Sequence, residues 1–327
     1  MQPIIHASHL SKTFQVYQKQ PGMVGTLRSF VKRTYTTKKA VDDISLSIDE
    51  GELVGFIGPN GAGKTTTLKM FSGLLCPNGG EVKVLGFTPF DRKPDFLRQI
   101  SLVMGQKNQL WWDLPAMDSF TLSRELYQIE TSVFKQRLDD LVSLLDVGSA
   151  LQTQVRKLSL GQRMKMELIA ALLHQPKVLF LDEPTIGLDV VMQQHMREFI
   201  KTYNAKTNAT IMLTSHYMDD VKELCRRVVM IDQGQVMYDG LLSDIIKKYA
   251  PNKYVTIQLT KELSREKLEK YAPVASYTYP KVVFEVKRED ATKLAAKLLG
   301  DEIVLDVNIE EPKIEDIIRD VFHTNHT

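Results

Sequence analysis

The chain has 327 residues, 43% hydrophobic and 25% charged, and carries a formal net charge of +2. That length points to two or three domains of ordinary globular composition. The near-neutral balance gives no support to a nucleic-acid partner, which needs a concentrated basic surface. Two widely separated cysteines, Cys76 and Cys225, fit a reduced, intracellular setting rather than a disulfide framework.

The opening MQPIIHASHLSKTF lacks the basic and apolar blocks of a secretory leader, and no run approaches the roughly 18 apolar residues of a membrane span. Residues 1–14 and 40–50 read as strands around an insertion, residues 15–39. There, Arg28, Lys32 and Arg33 alternate with Leu27, Phe30 and Val31, the pattern of a basic amphipathic helix on a membrane or partner. A surface hairpin with a solvated basic face is an equally good reading. ELVGFIG is then a short apolar strand, and KTTTLKMFSGLL a helix stopped by Pro77 and the turn at 78–80. Leu-rich helical periodicity takes over in DSFTLSRELYQI and FKQRLDDLVSLLDV, so residues 106–160 read as a helical subdomain. Strands return as KVLFLDE, ATIMLTSH and RVVMIDQGQVMYDG, the last a hairpin turning at Gln233-Gly234, with helices between them. This alternation argues an α/β layer with a substantially parallel sheet over residues 1–245. From Asn252 to the end, short strands and helices alternate in a small α+β domain of ferredoxin-like character.

The strongest chemical signal is Gly58-Pro59-Asn60-Gly61-Ala62-Gly63-Lys64-Thr65, a full G-x-x-x-x-G-K-[ST] match between a predicted strand and a predicted helix. Its glycines let backbone N–H groups wrap phosphates, Lys64 reaches the terminal phosphates, and the Thr65 hydroxyl suits Mg²⁺. Asp182, closing the apolar strand VLFLD, is placed to hold the same Mg²⁺. Glu183 follows directly and suits the orientation and deprotonation of an attacking water. A second anion-binding feature lies about a hundred residues on. Ser159-Leu160-Gly161-Gln162 spells a capping box, which predicts a helix N-terminus with its positive dipole end at that point.

With these residues in hand, the chain resembles the ATP-binding subunit of an ABC transporter over residues 4–245, with the motifs in the family's order. Gln106 matches the Q-loop glutamine, LSLGQ at 158–162 the signature, Asp189 in GLD the D-loop and His216 the switch histidine. The resemblance implies a P-loop NTPase cassette with a RecA-like core, an antiparallel β part and the helical subdomain. It implies ATP held by residues 58–65 and Thr66, with Thr65, Gln106 and Asp182 around Mg²⁺. Catalysis then falls to Lys64, Gln106, Glu183 and His216. Ser159, Leu160, Gly161, Gln162 and Asp189 would face the ATP of a second cassette, with a homodimer as the expected pairing. Adenine stacking falls to Phe14 first and Tyr17 second. The resemblance is to exporter-type subunits that serve a separate polytopic permease at the cytoplasmic face of the membrane. Trp111 and Trp112 lie where the family meets its permease, although packing in the core is a close rival reading. One departure stands out: the family's usual glycine is Leu160 here, which raises the question of backbone fit and of room for the side chain. A soluble ABC protein is disfavoured, because the chain has one P-loop and no sustained heptads.

Overall fold

A computed structural model describes residues 3–17, 35–105, 107–300, 303–312 and 314–324. The chain divides into two compact units, Met1–Gly240 and Leu241–Thr327.

In the first unit, β1 (Ile5–Tyr17) and β2 (Tyr35–Ile48) form an antiparallel hairpin that β4 (Gly79–Val84) extends to three strands in the order β2-β1-β4. Both hairpin strands run into the segment read from sequence as an insertion, since Thr13↔Lys39 through Tyr17↔Tyr35 are paired. The β-branched and aromatic residues Val16, Tyr35, Thr36 and Thr37 favour that extension. The predicted basic helix at 27–33 lies outside the described residues.

The second sheet positions the site. Its order is β5-β6-β7-β3-β8-β9, from β5 (Ile100–Met104), β6 (Val178–Asp182), β7 (Thr210–Thr214), β3 (Leu53–Ile57), β8 (Arg227–Asp232) and β9 (Gln235–Leu241). The first five are mutually parallel. Strands such as VLFLD and TIMLT are mostly apolar and buried at every position, as in a parallel sheet covered on both faces. The β8–β9 hairpin turns at Gln233 and Gly234, both at positive φ, as a two-residue turn requires. Among the described residues of the unit there are also seven α-helices. They are α1 (Lys64–Phe71), α2 (Pro94–Leu97), α3 (Ala116–Tyr127), α4 (Thr131–Leu145), α5 (Leu160–Leu172), α6 (Val190–Thr207) and α7 (Met218–Leu224). Phe56, Phe71 and Phe180 anchor a core shared by the two sheets and α1.

The second unit opens with α8 (Leu242–Tyr249), whose first four residues fall inside the 1–245 span expected for the cassette. Its buried Leu242 and Ile245 form an apolar stripe, and the helix packs against α11 (Ile314–Thr324), which draws it into this unit. The remainder is β10 (Asn252–Leu259), α9 (Arg265–Glu269), β11 (Val274–Thr278), β12 (Lys281–Lys287), α10 (Ala291–Leu299) and β13 (Val304–Glu310). The all-antiparallel order β11-β12-β10-β13 with this βαββαβ succession is a ferredoxin-like split βαβ.

Candidate functional site: a phosphate loop at the strand ends

Parallel register assembles the site. Met104, Asp182 and Thr214 are aligned across β5, β6 and β7, so whatever follows those strands emerges at one edge of the sheet. The loop after β3 joins them there, and carboxyl ends of parallel strands are where α/β sheets bind ligands.

The loop after β3 wraps from Gly58 into α1. Gly63 caps the helix at φ 108° with no side chain on its amides, and a Cβ there would lie 2.4 Å from the Ala40 carbonyl oxygen. Gly61 (φ 83°) opens to solvent, with nothing near a Cβ placed there. The result is a row of first-turn N–H groups at a positive helix end, the requirement for cradling phosphate. Pro59, Asn60 and Gly61 are exposed, Ala62 and Lys64 buried, and Thr65 and Thr66 half-buried. The Lys64 ammonium folds back and donates to the carbonyls of Gly58 (2.7 Å) and Pro59 (3.1 Å). Burial pulls its pKa below the ordinary lysine range, opposed by the carboxylates of Glu183 and Asp182.

Asp182 is held by two hydroxyls, Thr65 Oγ1 at 2.8 Å and Thr214 Oγ1 at 2.7 Å. Thr214 was not singled out from sequence, and only its place at the end of an apolar strand hinted at it. Glu183 adopts φ 56°, a left-handed conformation that non-glycine residues rarely hold and that concentrates at functional sites. Its N–H donates to Thr214, and its Oε1 lies 2.7 Å from His216 Nε2. Its Oε2 is buried and has no hydrogen-bond partner among the described residues. Gly105 makes this geometry feasible, because a Cβ on it would stand 2.1 Å from the Glu183 carbonyl oxygen. Gln106, the next residue, lies outside the described residues.

A buried network ties the two loops together. Asp220 accepts from Thr185 Oγ1, two residues past Glu183, from Ser215 Oγ at 2.6 Å, one residue before His216, and from Arg197 Nη1 at 3.0 Å. These residues match none of the short motifs, so sequence reading missed them.

The signature residues form a separate group. Ser159 Oγ accepts from the Gln162 N–H (3.2 Å), and Gln162 Oε1 from the Ser159 N–H (3.1 Å), completing the predicted capping box of α5. Leu160 is the first residue of α5 and does not have positive φ, so leucine fits the backbone there. Its side chain packs over Gly187, where an added Cβ would come within 3.0 Å of Leu160 Cδ2, and Met192 covers Gly161 in the same way. Asp189 caps α6 by accepting from the Met192 N–H at 2.8 Å. The signature and the D-loop are therefore neighbours, and Ser159, Gln162 and Asp189 are exposed.

Phe14 is 39% exposed on β1, opposite Lys38 and two residues along β2 from the Ala40 that touches Gly63. Only the backbone of Tyr17 is described, paired with Tyr35. Trp111 and Trp112 are 49% and 45% exposed, which removes the core-packing reading. Among the described residues no group of three or more His, Cys, Asp or Glu gathers to bind a metal. The Thr65 hydroxyl beside the Asp182 carboxylate does fit Mg²⁺, which is commonly bound through one or two protein oxygens plus waters and substrate phosphates.

Fold and site together define a P-loop nucleotide-binding cassette of the ABC type. Residues 41–186 match the family described as ABC transporter, and residues 251–310 the EvrA-like ABC transporter, C-terminal domain. The ABC transporter ATP-binding protein NatA of Bacillus subtilis is 36% identical over 63% of this chain and 84% of its own length. The linearmycin resistance ATP-binding protein LnrL of the same organism is 29% identical over 87% of this chain and 94% of its own. A dimeric ATP-binding cassette solved in a post-hydrolysis state with ADP and Pi shares the fold at TM-score 0.61 and 21% identity, over 73% of this chain and 98% of that one. The chain belongs to the ATP-binding subunits of ABC transporters, a family of ATPases. No helix among the described residues is long and apolar enough to cross a membrane.

Proposed function

We propose that this chain powers export through a separate polytopic permease, working at the cytoplasmic face of the membrane as one of two identical cassettes that close head-to-tail over two ATP molecules. The observation that carries the catalytic part is the 2.7 Å pair of Glu183 and His216 at the mouth of the phosphate loop. Glu183 keeps one oxygen on His216 and offers the other, unpartnered among the described residues, to an attacking water, as a general base must. The Lys64 ammonium exchanges its carbonyl partners for terminal phosphate oxygens. Mg²⁺, held through Thr65 and Asp182 with Gln106 beside it, would neutralise charge on the β- and γ-phosphate oxygens. Phe14 stacks on adenine. The exposed start of α5, with Ser159 through Gln162 and Asp189 beside it, meets the γ-phosphate on the second subunit, which the dimeric structural neighbour supports. The resistance function named for LnrL supports export. Trp111 and Trp112, half exposed on a loop that leaves the catalytic sheet, receive a cytoplasmic helix of the permease, since aromatic side chains favour interface cores.

The decisive test is Glu183→Gln. The variant should bind ATP with Mg²⁺ and double its mass by light scattering, while hydrolysis falls at least a hundredfold. Turnover at the unmodified rate would remove Glu183 from the base role. Lys64→Ala should bind no ATP and stay monomeric in the same measurement.

A further inference from the structure

Arg163 and Glu167 stand four residues apart on α5, so both side chains leave the same face of the helix. Both reach the segment between β5 and α3. Glu167, 3% exposed, accepts with Oε1 from the N–H groups of Gln109 (2.9 Å) and Leu110 (3.3 Å). Its Oε2 is buried and without a hydrogen-bond partner among the described residues. Burial raises its pKa above the ordinary carboxylate range, opposed by the two amides and then by the charge of Arg163. The Arg163 guanidinium lies 5.8 Å from the Trp112 ring centre, within reach of a cation–π interaction.

The rest of the segment is pinned close by. Gln109 Nε2 donates to the Leu102 carbonyl of β5 at 2.6 Å. The N–H groups of Val155 and Arg156 donate to Leu114 and Trp112 at 3.0 Å each, and Arg156 pairs with Asp113 at 3.0 Å. A buried carboxylate is a costly acceptor for two amides unless their position matters, because either its charge or its second oxygen goes unpaired. Here both amides belong to the loop that displays the two tryptophans, and the carboxylate belongs to the helix whose first turn is the signature.

The geometry points to Arg163 and Glu167 as positioning residues, a two-point clamp that makes the tryptophan loop and the start of α5 move as one body. A displacement of the loop is then felt at Ser159–Gln162, and engagement of ATP at α5 is felt at Trp111 and Trp112. The identity of the load, a permease helix, rests on the docking reading above. The link itself rests only on contacts within the chain.

The chain's two tryptophans both sit in this loop, so intrinsic fluorescence reads it directly. In the full-length Glu183→Gln protein, ATP with Mg²⁺ should change tryptophan emission and its quenching by acrylamide. Adding Glu167→Ala should cut that ATP-induced change at least threefold, with ATP affinity held within twofold. Glu167→Gln, which keeps an oxygen acceptor, should restore most of it. If Glu167→Ala does not fold, Arg163→Met carries the test and should at least halve the response. An undiminished response in either clamp variant overturns the proposal, as does the lack of any ATP response in Glu183→Gln protein that binds ATP. Permease co-purification with a Trp111→Ala/Trp112→Ala variant tests docking separately. Undiminished capture there sinks the docking site while leaving the fluorescence result to decide the clamp.

Discussion

Substituting Asp220 with alanine separates stability from catalysis. The carboxylate is fully buried (0% exposed) and faces Arg197, whose side chain is itself only 7% exposed. Removing one member of such a pair strands the other charge and costs about 3–5 kcal/mol. Glu223, 3.1 Å from Arg197 Nε and partly exposed, retains some compensation, which favours the lower end. For a unit of this size each kcal/mol moves the melting midpoint by about 2–4 °C, so a fall of about 6–12 °C is expected, read by calorimetry. Pairing Asp220→Leu with Arg197→Met removes both charges, which is commonly neutral or stabilising for a buried pair, and the midpoint should recover. Turnover should not recover, because Thr185 and Ser215 still lose the acceptor that holds the Glu183 and His216 loops together. A displacement of about 1 Å at such a site costs on the order of 10²-fold in rate. Two results would refute this reasoning: an unchanged midpoint in Asp220→Ala, or wild-type hydrolysis in the double variant.

Gly105→Ala places a methyl 2.1 Å from the Glu183 carbonyl oxygen, so hydrolysis should drop at least tenfold in a phosphate-release assay. Near-normal turnover would mean the strand end yields freely. Leu160→Gly replaces a residue already suited to a helix start, so turnover should not rise, and α5 should weaken by up to about 1 kcal/mol. A several-fold gain in rate would show that the leucine obstructs the signature. Cys76 is exposed, whereas Cys225 is buried and its thiol pKa is pushed up by burial and by Asp220. A thiol-titration reagent should therefore label one cysteine in the native protein and the second only in denaturant.

The sequence on its own determined the phosphate loop, the Asp182-Glu183 strand end and the capping box at Ser159. In each, function needs a local backbone form that only a few residue types support, so a contiguous string records it. Apolar runs of five residues likewise marked the buried parallel strands, and the alternation after Asn252 marked the ferredoxin-like sheet. The extent of the β1–β2 hairpin was not legible, because cross-strand pairing over Thr13–Tyr17 is a relation between two distant segments. The same holds for the assignment of α8, which depends on what its apolar stripe packs against. Tertiary structure alone decided that Leu160 has room, since its backbone is helical and Gly187 leaves space beneath it. It also decided that Asp220 joins the Glu183 and His216 loops, and that Arg163 and Glu167 grip the tryptophan segment. Those contacts join residues between 5 and 58 positions apart, and they exist only because parallel register and helix packing bring the groups together, the hydrogen bonds at about 3 Å and the Arg163–Trp112 pair at 5.8 Å.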